Sequence, residues 1–95
     1  MNTLVETRLQ QHNPLVHCEL MQVASHVQRF NGECIINTLM MDGYDYPFKY
    51  GRKNKCRNLK GKQVDLSYYP SIEVIADFEM NIMKVVQIKV IAAKD

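Results

Sequence analysis

Residues 13–37 read NPLVHCELMQVASHVQRFNGECIIN, and their apolar side chains set a helical period. Val16, Leu20, Val23, Ala24, Val27 and Phe30 recur at steps of three and four, which gathers them on one face of an α-helix. Glu19, Gln22, His26 and Arg29 fall on the opposite face. Asn13 suits the cap that accepts a first-turn amide, and Pro14 has no amide to leave unsatisfied there. Asn31-Gly32 tolerates the left-handed turn that closes a helix. Cys34, Ile35 and Ile36 then read as a buried strand.

The remaining segments follow from alternation and turn signals. Val5, Thr7 and Leu9 alternate with Glu6 and Arg8, so residues 3–9 read as a strand with one wet face, followed by a polar loop over 10–13. After a strand over 34–39, Asp42-Gly43 is a hairpin signal, and Tyr44, Tyr46, Phe48 and Tyr50 alternate with Asp45 and Lys49 as a further strand. Pro47 assigns that strand to a sheet edge, because proline cannot donate to a ladder. Residues 51–62 are loop-like, and 63–67 form a short strand with Val64 and Leu66 on one face. Ser71 suits the N-cap of a second helix whose inward stripe is Ile72, Ile75, Phe78 and Ile82, with Glu73, Asp77 and Glu79 outward. Residues 84–92 close the chain as a strand with Val86, Ile88 and Val90 alternating. The expected order is β-α-β-β-α-β, an α+β open-faced β-sandwich. Its two helices lie on one face of a four-stranded antiparallel or mixed sheet.

Length and composition bound what such a chain can do. Ninety-five residues suffice for one domain, 1–95, with a single modest core. No apolar run approaches the roughly 20 residues of a membrane-spanning helix, and MNTLVETRLQ lacks the layout of a signal peptide, so a cytoplasmic protein is expected and no membrane partner. Three cysteines, Cys18, Cys34 and Cys56, are an odd number at irregular spacing, which reads as reduced thiols. No Cys-x-x-Cys occurs, and His12, His17-Cys18 and His26 do not have ligand spacing, so no metal and no cofactor is expected. No nucleophile elbow, phosphate-binding glycine loop or carboxylate pair points to an enzyme, so no catalytic residue is assigned.

Residues 5–37 resemble HPr, the histidine-containing phosphocarrier family of the bacterial sugar phosphotransferase system. The resemblance rests on Pro14-Leu15-Val16-His17-Cys18-Glu19-Leu20, where the family has its histidine loop, then on Ala24-Ser25-His26-Val27-Gln28-Arg29-Phe30 and the strand after Gly32. Pro70-Ser71-Ile72 is similar to the family's regulatory serine segment. The resemblance makes His17 a candidate phosphoacceptor and Ser71 a candidate site of regulatory phosphorylation. Counting back from Phe30, however, places Val16 where the family keeps its histidine and Cys18 where it keeps its arginine. A one-residue slip aligns His17 and puts Glu19 in the arginine's place, and at about 4 Å two like charges repel by on the order of 4 kcal/mol at an effective dielectric near 20. The function implied is a regulatory or adaptor domain that has lost phosphocarrier chemistry. It would dock a protein partner through His17, Leu20 and Met21 in the first helical turn, and through the second helix. The alternative of an atypical phosphocarrier using His17 stays open. The family's third helix has no counterpart here, and the apolar surface so uncovered implies a homodimer.

Relative to that family the chain carries an insertion at about residues 40–63. Within it lie Lys49, Arg52, Lys53, Lys55, Arg57, Lys60 and Lys62, and no acid falls between Pro47 and Gln63, so a net charge of +2 conceals a polarised surface. Four aromatic residues stand at its near end: Tyr44, Tyr46, Phe48 and Tyr50. Cations interleaved with aromatics can follow a phosphate backbone and stack bases, which makes nucleic-acid binding the alternative to the adaptor reading.

Overall fold

The segment expected to be the first helix is a 15-residue strand, β1 (Val16–Phe30), in a computed structural model that describes residues 15–91. Its inward side chains are Val16, Cys18, Met21, Val23 and His26. They are two or three residues apart because the ladder slips once between Cys18 and Met21 and again between Val23 and Ser25. Each slip leaves one residue outside the alternation and bends the strand. At the first slip Leu20 takes φ 56° and its amide donates to Asp65 Oδ1 at 2.9 Å. Bent in this way, β1 serves two neighbours: its first half pairs with β4 (Gln63–Ile75) and its second half with β2 (Ile35–Met41), both antiparallel.

Two further strands, β3 (Phe48–Arg52) and β5 (Phe78–Val90), complete a closed barrel in the order β1-β2-β3-β5-β4. All neighbours are antiparallel except β3 and β5, which run parallel and meet only at Phe48↔Met83 and Lys49↔Lys84. Alternate residues from each strand fill the interior: Leu39 and Met41 from β2, Phe48 and Tyr50 from β3, Val64, Leu66 and Tyr68 from β4, and Val85 from β5. Phe48 is fully buried and edge-on to Tyr44 and Tyr68, with ring centroids 5.5 and 4.9 Å away.

The expected α+β sandwich with two helices is therefore overturned, since every element among the described residues is a strand. The second helix, capped by Ser71, is instead the end of β4, a two-residue turn at Ala76-Asp77 and the start of β5, with Ser71 opposite Ile82. The Asp42-Gly43 turn is present, with Gly43 at φ 84° and the Tyr44 amide on the Met41 carbonyl, and β2 and β3 form the antiparallel pair it was expected to join. Pro47 does not mark an edge. It sits just before β3, and its carbonyl accepts the Met83 amide at 2.8 Å, so β3 is held on both sides. The strand expected over 3–9, the loop over 10–13, the Asn13-Pro14 cap and Ala92 lie outside the described residues. No helix among the described residues is long and apolar enough to cross a membrane.

The β4–β5 hairpin is longer than the barrel is tall. Pairing of β4 with β1 stops at Tyr68, and pairing of β5 with β3 begins at Met83, so among the described residues the ribbon beyond them pairs only within itself, and the molecule measures 54 × 29 × 25 Å.

Candidate functional site

Residues 53–62, which carry five of the seven basic side chains singled out above, connect β3 to β4 and are stitched along β1. The Gln28 side chain pairs with the Cys56 backbone as a neighbouring strand would: Nε2 donates to the carbonyl at 2.7 Å, and Oε1 accepts the amide at 3.0 Å. Asn58 Nδ2 donates to the His26 carbonyl at 3.1 Å, and the Gly61 amide donates to the Val23 carbonyl at 2.9 Å. Leu59 turns inward, is buried, and stops that end of the barrel. His26, expected on a solvated helix face, is buried beneath this loop.

Because β3 and β5 touch at only two residue pairs, they diverge toward the loop and leave a cleft of about 560 Å³. Its apolar lining is Tyr50, Leu59, Ile88, Val90 and Ile91, and its cations are Arg52, Arg57 and Lys62. Among the described residues no carboxylate lines it. The Arg52 guanidinium lies 4.8 Å from the centroid of the Tyr50 ring, a cation–π contact that holds the cation over the opening. Burial pushes the Tyr50 hydroxyl above its ordinary pKa, with Cys56 adding to the shift and Arg52 opposing it, so at neutral pH Tyr50 is an uncharged ring. Positive charge around an apolar floor with one aromatic ring can hold an anion joined to a flat, weakly polar group.

Across β3 a shallower groove of about 220 Å³ runs beneath the β4–β5 hairpin. Ile36, Lys49, Tyr50, Ser71, Ile82 and Lys84 are among its lining residues, so Tyr50 belongs to both sites. Lys49 and Lys84 lie side by side in the parallel ladder, and Lys49 is 2.6 Å from the Glu73 carboxylate.

The seven basic residues thus divide. Arg52, Arg57 and Lys62 converge on the cleft, and Lys49 is in the groove, whereas Lys53, Lys55 and Lys60 are exposed and line neither. The aromatic residues divide as well: Phe48 is core, Tyr44 and Tyr46 lie at the opposite end of β3, and Tyr50 alone of the four meets the cations of the cleft. Leu59, Lys84, Ile88 and Ile91 carried no site signal in the sequence, since their roles depend on how β3 and β5 diverge.

The residues assigned by the family resemblance do not assemble. His17 is on an exposed stretch of β1, its Nδ1 2.9 Å from Ser67 Oγ and its Nε2 3.5 Å from Glu19, so a phosphoryl group there would meet a carboxylate. Leu20 points to solvent from the bulge while Met21 is buried, so His17, Leu20 and Met21 form no helical turn and no common docking face. Ser71 is mid-strand and half-buried, with no helix N-terminus to receive a phosphate. Among the described residues Cys18, Cys34 and Cys56 form no disulfide, and no cluster of three His, Cys, Asp or Glu side chains has the geometry of a metal site.

Compared with family models, curated proteins and solved structures, the chain matches none.

Proposed function

We propose that this barrel binds single-stranded nucleic acid, with the cleft between β3, β5 and residues 53–62 taking a base and its phosphate. The observation that carries the reading is the convergence of Arg52, Arg57 and Lys62 on an apolar floor containing Tyr50, with no carboxylate among the described lining residues. The floor suits a base, which has apolar faces, and the cations suit the phosphate beside it. A rigid duplex offers no unstacked base to such a cleft, so a single strand is the better fit. Lys84 and Lys49 extend the positive charge across β3, although Glu73 offsets part of it.

The architecture supports the same reading more weakly. Five strands closed into one barrel are the framework of the OB class, whose oligonucleotide platform is the face of strands 2 and 3 with the β1–β2 and β4–β5 loops, and the cleft here shares β3 with that platform. That likeness is of fold, and fold does not assign function. The adaptor reading depended on an exposed helical turn at His17, Leu20 and Met21, which the barrel replaces with a bulged strand.

The test is titration of fluorescently labelled single-stranded and duplex oligonucleotides, read by anisotropy at several salt concentrations. Single strands are expected to bind more tightly, with affinity falling linearly as salt rises on a log–log plot. The chain has no tryptophan and five tyrosines, so quenching of tyrosine emission that is lost in Tyr50→Phe reports a base reaching Tyr50. Absence of binding at low salt, or equal binding of duplex without quenching, overturns the reading.

A further inference from the structure

The β4–β5 ribbon carries large apolar side chains where no described element covers them: Ile72, Val74, Ile75, Phe78 and Met80 are all at least 44 % exposed, and Phe78 reaches 73 %. A two-stranded ribbon alone in water is marginally stable at best, and it gains most from burying a face against something else. Summed over both faces of the ribbon, the exposed apolar surface is on the order of 500 Å², and patches of a few hundred Å² on monomers often mark interaction sites.

Charge identifies the occupant. From Ser71 to Met83 the chain has three carboxylates, Glu73, Asp77 and Glu79, and no lysine or arginine. That balance repels a nucleic acid and an anionic membrane surface alike, leaving a protein surface. The two faces of the ribbon then differ. Directly opposed residues share a face, so Ser71 and Ile82, Glu73 and Met80, and Ile75 and Phe78 stand together. That face carries Glu73, which Lys49 of the same chain already neutralises at 2.6 Å, and, at its barrel end opposite Tyr69, Lys84. The other face carries Ile72 and Val74 beside Glu79, for which no described cation is a salt-bridge partner.

We infer that the ribbon is a homodimerisation arm, with the face bearing Ile75, Phe78 and Met80 packed against the same face of a second copy. A two-fold arrangement brings each Glu73 toward its counterpart, which ordinarily costs affinity, and the Lys49–Glu73 pair removes that penalty within each chain before the copies meet. Lys49 therefore acts on the interface through Glu73, as a positioning residue beside the apolar contact.

Sedimentation equilibrium of the full chain, without nucleic acid, tests the inference. The unmodified protein is expected to be a dimer. Phe78→Arg and Met80→Glu, each changing an exposed side chain, are expected to give monomers with an unaltered far-ultraviolet circular dichroism spectrum. Lys49→Ala is expected to weaken the dimer by on the order of tenfold, and the added Glu73→Gln to restore it. The rescue separates this arrangement from a general apolar patch, whose association would be indifferent to Lys49. A monomer at every concentration, a dimer unmoved by Phe78→Arg and Met80→Glu, or a Lys49→Ala dimer as tight as the original overturns the inference.

Discussion

The Leu59 amide donates to Nδ1 of His26 at 2.9 Å, and this one contact fixes the imidazole's tautomer. A backbone amide can only donate, so Nδ1 accepts, and the ring proton resides on Nε2, which donates to Asn37 Oδ1 at 2.8 Å. His26 is thereby a neutral bridge from the β2 interior to the basic loop, buried and with both nitrogens used. Replacing it by alanine leaves the Asn37 side chain and the Leu59 amide without these partners and opens space beneath the loop. His26→Ala is expected to cost about 2–4 kcal/mol, read from the midpoint of urea unfolding. A loss under about 1 kcal/mol would mean that the loop is held mainly by Gln28 and the Val23 carbonyl.

The same loop presents the cations, so binding should respond to them individually. Arg57→Ala and Lys62→Ala are each expected to weaken binding of every single-stranded sequence alike, and to lower the log–log salt slope by roughly 0.7 for each phosphate contact removed. Lys89→Ala provides the contrast, because Lys89 lines a separate surface site with His17, Asp65 and Ser67. If Lys89→Ala lowers the slope as much as Arg57→Ala does, positive charge in general and not the cleft is responsible.

The sequence was legible wherever strands were regular and misleading wherever they were bulged. In β2 and in the 63–67 part of β4 the inward residues alternate, and the strand reading survives, with both strands running on past their expected C-terminal ends. In β1 the two bulges at Leu20 and Ala24 turn the period of two into inward residues at 16, 18, 21, 23 and 26. Steps of two and three overlap the steps of three and four that define a helical stripe, and no glycine announces either bulge. The hairpin was hidden for a related reason: Ala76-Asp77 lacks the usual turn residues, so Ile72, Ile75, Phe78 and Ile82 looked like one stripe when they belong to two strands. The basic cluster was legible as composition. Its division among cleft, groove and solvent was not, because the divergence of β3 from β5 follows from a pairing 35 residues apart in sequence, Phe48 with Met83.

That concealed turn is also improvable. Ala76 and Asp77 both have positive φ, 50° and 71°, where alanine pays a steric penalty that asparagine and glycine largely avoid. Two positive values in a two-residue hairpin match the turn for which Asn-Gly is favoured. The double change Ala76→Asn and Asp77→Gly is expected to stabilise the protein by about 0.5–1.5 kcal/mol, seen as a rise of several degrees in Tm. A fall in Tm would indicate that residues 76 and 77 do not form this turn in solution.

Alkaline pH should weaken the barrel, and Tyr68 gives the sign. Burial, the neighbouring Cys18 thiol 3.6 Å from its hydroxyl, and Tyr44 all push the Tyr68 pKa above the ordinary tyrosine value. Tyr44, chiefly through Cys18, and Tyr50, chiefly through burial, are displaced in the same direction. A group that holds its proton more tightly when folded contributes its full stability below the unfolded pKa of about 10, and loses it as pH climbs from there toward the higher folded value. Unfolding free energy should therefore decline above about pH 10, with Tyr68 contributing at most about 1.4 kcal/mol per pH unit. Tyr68→Phe keeps the ring against Phe48 and removes the proton, so urea unfolding from neutral pH to about pH 11 should show a shallower decline for that variant. Parallel declines would mean that Tyr68 ionises as readily in the barrel as in the unfolded chain.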